Sequence, residues 1–116
     1  MEQIHCPVET ALNLIGGKYK ALILWRLSGG TLRFSQLQKL VTSATPRMLT
    51  LQLRELEKEH LITRTVYPEV PPRVEYAMTE LGRSLMPILT AMRDWGTEYL
   101  RSRDIEPNCS MTRTDA

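Results

Sequence analysis

A single helix and the hairpin after it restrict this chain more than any other feature. Thr45-Pro46 opens a helical stretch running to about residue 59. A threonine oxygen satisfies an orphan N–H at a helix start, and proline has no N–H to lose there. Leu49, Leu53 and Leu56 then recur at helical spacing and form a single apolar stripe. Residues 61–67 and 73–78 alternate and are rich in β-branched and aromatic side chains, so each predicts a strand. Pro68-Glu69-Val70-Pro71-Pro72 between them cannot be a central strand, so the two form a hairpin with a stiff tip.

Local signals set the other elements. Cys6 as N-cap and Pro7 as first helical residue start a helix that Gly16-Gly17 stops. A second helix is expected over 18–28 and ends at Gly29-Gly30. Thr31-Leu32-Arg33 reads as a short extended piece, and Phe34, Leu37 and Leu40 mark a short helix over 34–41. Thr79 caps a last helix, expected to run unbroken to 101. Its apolar stripe is Leu81, Leu85, Ile88, Leu89, Met92, Trp95 and Tyr99, and Pro87 should bend it. Residues 102–116 are polar and aperiodic, and predict a flexible tail. Two helices joined by a tight turn and followed by a hairpin give the layout of a winged helix-turn-helix, mainly α with a small β-hairpin.

A chain of 116 residues with 42% hydrophobic and 24% charged residues fits one soluble domain. Its first residues carry no basic or apolar leader signal, and Ala21-Leu22-Ile23-Leu24-Trp25 is too short to cross a bilayer. The expected place is therefore the cytoplasm, with no membrane partner. Cys6 and Cys109 form no CxxC pair. With two histidines, no HExxH and no phosphate-binding glycine loop, neither an enzyme nor a metal or cofactor site is expected.

A net charge of +2 says little; the placement of the cations says more. With Leu49 directed inward, about 100° per residue puts Arg47, Thr50, Leu51, Arg54 and Lys58 on the outer face, while Glu55 and Glu57 turn to the flanks. Arginine can pair with a guanine edge, threonine can donate or accept, and an apolar side chain can touch a thymine methyl. Arg73, just after Pro71-Pro72, suits a phosphate or a narrow minor groove. Arg33 and Ser35 at the start of the short helix suit the backbone, and Thr45 completes the candidate contacts to double-stranded DNA. The competing bland account is a solvated helix face and a stiff turn. Another is a dimeric winged-helix module for protein interaction or ligand binding that reads no DNA.

These residues resemble the HxlR-type branch of the MarR-like winged-helix regulators. The resemblance runs through Cys6-Pro7-Val8, Ile15-Gly16-Gly17-Lys18-Tyr19-Lys20, Leu22-Ile23-Leu24-Trp25 and Arg33-Phe34-Ser35-Gln36-Leu37. It continues through residues 48–57, Pro71-Pro72-Arg73-Val74-Glu75-Tyr76 and Leu81-Gly82-Arg83-Ser84-Leu85. It implies a homodimer that binds an inverted-repeat operator and represses or activates transcription. Dimerisation would use the first and last helices, over 8–15 and 80–101, with 34–60 as the helix-turn-helix, 61–78 as the wing and 1–101 as one domain. Val8, Leu12, Leu89, Met92, Trp95 and Tyr99 are the interface candidates, and those two helices carry more apolar surface than one small domain needs to bury. Two departures stand out: His60 where relatives commonly have glycine, and Leu51 where they are often polar. Cys6 lies at the positive end of a helix, which favours thiolate, and some relatives with a cysteine there respond to oxidants or electrophiles. An oxidant or small-molecule effector is thus a further expected partner, with Cys6 as its sensor and Cys109 as a candidate pairing partner across the dimer.

Overall fold

The computed structural model describes residues 5–108. In it the chain runs α1 (Pro7–Ile15), α2 (Lys20–Leu27), β1 (Leu32–Arg33), α3 (Phe34–Leu40), α4 (Pro46–Lys58), β2 (Ile62–Tyr67), β3 (Arg73–Met78), α5 (Glu80–Arg83) and α6 (Met86–Arg101). This is the expected mainly-α architecture with a small sheet. The hairpin is extended by one strand: the short piece before α3 pairs with β3, giving an antiparallel order β1-β3-β2. Arg33 faces Glu75, and Tyr67 faces Arg73 across the hairpin.

The core lies between α2, α3, α4 and one face of the sheet. Ile23, Leu24 and Leu27 meet Leu37, the α4 stripe of Leu49, Leu53 and Leu56, and then Leu61, Ile62 and Tyr76. Each leucine so buried stabilises the fold by about 1.5–3 kcal/mol. This seating fixes which side of α4 points away from the protein.

Both ends of α4 are tied. Thr45 Oγ1 accepts the Met48 N–H at 3.1 Å. At the other end the His60 N–H donates to Glu57 O and the Leu61 N–H to Leu56 O, both at 3.0 Å. That bond pair is a Schellman ending, and it requires the left-handed backbone that His60 adopts, with φ 62. The Thr79 hydroxyl then donates to His60 O at 2.7 Å while accepting the Gly82 N–H at 3.0 Å. One side chain thereby joins the end of α4 to the start of α5.

The long helix expected from Thr79 is two helices. Hydrogen bonding tightens at Leu85, whose N–H reaches Gly82 O at 3.0 Å, and Pro87 falls in the first turn of α6. There its missing N–H breaks no intrahelical bond, so the proline starts a helix rather than bending one. Within the stripe, Leu85 and Leu89 enter the core, whereas Leu81 and Ile88 face outward.

At the far end, Asp104 takes φ 60 and the Ile105 N–H returns to Leu100 O at 2.9 Å, closing α6. Cys109 and the rest of the expected tail, 109–116, lie outside the described residues. Helix α1 buries a single residue, Ile15, with Leu14 partly buried against the core.

Candidate nucleic-acid interface

On α4 the structure turns Arg47, Leu51 and Arg54 to solvent. Among the described residues, neither arginine has a carboxylate within 4.0 Å. Glu55 is drawn to the flank, where it meets Lys20 Nζ at 2.8 Å. Thr45 is exposed, but its oxygen is engaged as the helix cap. Thr50 is half-buried and its hydroxyl proton goes to Pro46 O at 2.8 Å, which leaves it only as an acceptor.

Arg73 does not project freely from the hairpin. Its guanidinium carbon lies 4.1 Å from the centroid of the Tyr67 ring. Nη2 is 3.4 Å from Glu69 and Nε is 3.9 Å from Glu75. The side chain is nonetheless at a shared edge, because a groove of about 490 Å³ is lined by Arg33, Phe34 and Ser35 on one side and by residues 69–74 on the other. The groove brings together three of the residues the sequence singles out. Gln36 orders its α3 wall, with Oε1 accepting the Arg33 N–H at 2.8 Å.

A second concavity, of about 300 Å³, lies where α4 meets the sheet. Its walls are Thr50, Leu53, Arg54 and Glu57 on the helix, and Arg64 and Tyr76 on the strands. Arg64 is not among the residues that the sequence singles out. Alternation alone places it on the same side as Ile62, toward the core, and only the concavity it shares with Thr50, Arg54 and Glu57 reveals that this position lies beside α4.

The remaining candidates lie on α1 and α6. Val8 and Leu12 are exposed, as are Ile88, Met92, Trp95 and Tyr99, which follow one side of α6. Trp95 is 70% exposed and stacks on Tyr99 with centroids 5.3 Å apart. Leu89 departs from the expectation: at 1% exposed it belongs to the domain's own core, and Ile88 takes its place on the outer face. Cys6 is a free, exposed cysteine at the N-cap position of α1, and its side chain makes no capping hydrogen bond. Among the described residues, no helix is long and apolar enough to cross a membrane.

Comparison with known proteins identifies this arrangement. The profile of the HxlR-like helix-turn-helix family matches residues 14–104. The HTH-type transcriptional regulator YdeP of Bacillus subtilis is 54% identical over 94 residues, covering 81% of this chain and 73% of YdeP. An HTH-type transcriptional regulator of Methanothermobacter thermautotrophicus is 56% identical over 98 residues, covering 84% of this chain and 75% of the relative. Among solved structures, the redox regulator HypR in its oxidised form superposes with a TM-score of 0.74 at 49% identity, over 78% of this chain and 94% of HypR. The chain belongs to the HxlR-like helix-turn-helix family of transcriptional regulators.

Proposed function

We propose that this regulator acts in the cytoplasm as a homodimer, reads an inverted-repeat operator through α4, and represses transcription from it. The observation that carries this reading is the outer face of α4. Among the described residues Arg47 and Arg54 have no carboxylate partner there, and a leucine stripe holds the helix so that they cannot turn inward. Unpaired arginines can fork onto guanine, and the exposed Leu51 offers apolar contact to a thymine methyl. Beside them, Arg33, Ser35 and Arg73 share the groove between α3 and the wing, suited to phosphate and minor groove.

Support for the dimer comes from α1 and α6. A nine-residue helix is marginal in water on its own, and α1 buries only Ile15. Val8 and Leu12, with Ile88, Met92, Trp95 and Tyr99, are the apolar surface that a second copy would cover. Cys6 would then act as an oxidant sensor beside that surface: its thiol is exposed, and the similar protein HypR is a redox regulator with a solved oxidised form.

Selection of bound sequences from a random DNA pool tests the reading. The expected result is a palindromic motif whose half-sites lie about 10 bp apart or a multiple of it. A pool that yields no enriched motif, or a motif with one half-site, overturns it.

A further inference from the structure

We propose that the concavity between α4 and the sheet seats a single phosphodiester of the DNA backbone, with Arg64 as the residue that holds it. This rests on the DNA reading above and adds a contact to it. A helix in the major groove and a hairpin in the neighbouring minor groove must straddle the strand of backbone that separates the two grooves. Whatever lies between α4 and the wing therefore faces phosphate, and that place is the concavity lined by Thr50, Leu53, Arg54, Glu57, Arg64 and Tyr76.

The character of Arg64 supports the assignment. On its side of the sheet, Ile62 on β2 and the opposed Tyr76 on β3 are buried, while Val66 beyond it is half exposed, so Arg64 stands at the edge of the covered face. Residues on the core-facing side of a half-covered sheet are ordinarily apolar. Arg64 instead remains exposed, and among the described residues no carboxylate lies within 4.0 Å of it, although Glu57 lines the same concavity. Packing gains nothing from a cation here and no ion pair occupies it. The three charged groups around the space are Arg54, Arg64 and Glu57, which together carry one net positive charge. That matches the single negative charge of a phosphodiester and is a poor match for a free dianionic phosphate.

The test is a salt titration of binding to a labelled random-sequence duplex, using wild type, Arg64→Ala, Arg64→Gln, Glu57→Gln and Arg83→Ala, with thermal unfolding as the folding check. Loss of one charge-assisted contact should weaken Arg64→Ala roughly tenfold per protomer at low salt. The slope of log affinity against log salt should fall by about 0.9 for each protomer bound. Arg64→Gln keeps the reach without the charge and should lose the same slope. Glu57→Gln should bind more tightly, and Arg83→Ala should match wild type. Sequence preference in pool selection should not move with Arg64.

Wild-type slopes retained by both Arg64 variants overturn the assignment while leaving the DNA reading intact. Wild type that shows no salt-dependent binding overturns both. Inorganic phosphate, added at constant ionic strength, should leave all curves in place. Displacement of wild type alone would mark a free-anion site and also overturn the proposal.

Discussion

The guanidinium of Arg73 lies 4.1 Å from the centre of the Tyr67 ring that faces it across the hairpin. Glu69 completes the enclosure at 3.4 Å. A phosphate bound by this arginine would have to compete with Glu69, while the ring can stay in place. Arg73→Ala should lower the salt slope of DNA binding. Glu69→Gln should tighten binding by up to about fivefold, since a half-exposed ion pair contributes roughly 0–1 kcal/mol. The double variant should match Arg73→Ala alone; an additive gain from Glu69→Gln would show that the carboxylate acts elsewhere.

His60 holds the left-handed position that ends α4. A side chain there costs about 1–2 kcal/mol, part of which glycine gives back as lost backbone entropy. His60→Gly should thus raise stability by about 0.5–1 kcal/mol, and His60→Val should lower it. Urea unfolding at fixed protein concentration reads both as midpoint shifts at unchanged slope.

Gly82 allows close approach. A Cβ at this position would press into the Leu61 carbonyl oxygen and stand 2.8 Å from Met78 Cγ. Leu61 O also accepts the Thr79 N–H at 3.1 Å, so the backbone has little room to withdraw. Gly82→Ala should destabilise by about 1–3 kcal/mol, seen as a lower melting temperature. A neutral Gly82→Ala would mean that α5 can slide away from the α4 ending.

The elements are legible in the sequence where a local signal fixes them. Thr45-Pro46 marks the start of α4 and Pro7 that of α1, and the strand β3 occupies the residues its alternation predicts. Proline is legible as a disruption but not as to its kind: bending a continuous helix and opening a new one both fit the missing N–H, and only the bond from Leu85 to Gly82 decides between them. The stripe itself does not say which of Ile88 and Leu89 the domain buries, and it is Leu89. Arg64 is hidden for a different reason. A strand pattern gives the side of the sheet but not where the covering helix stops, and Arg64 lies at that margin. Thr50 and Arg73 are legible as outward residues, but their internal partners, Pro46 O and Glu69, belong to geometry that spacing does not encode.

Two positions on neighbouring faces of α6 separate folding from association. Trp95→Glu should convert a dimer to monomer in sedimentation, because a charge there is not buried within the domain itself. Leu89→Ala should instead lose about 2–5 kcal/mol of stability through the cavity it leaves. A Trp95→Glu protein that still sediments as a dimer would move the interface off this face.

Cys6 is the remaining test. Diamide should weaken operator binding by wild type and leave Cys6→Ser unaffected. Equal responses would exclude Cys6 as the sensor.

Helix α1 rests on its own domain chiefly through its last residues, Leu14 and Ile15, about 12–13 Å along the axis from Cys6. A group added to that thiol therefore meets almost nothing within the same subunit, and the melting point of an isolated protomer should be indifferent to it. In the proposed dimer its effect would arise only where two subunits meet. The response to oxidant should then vary with protein concentration, so that the abundance of the regulator would set the threshold of its own response.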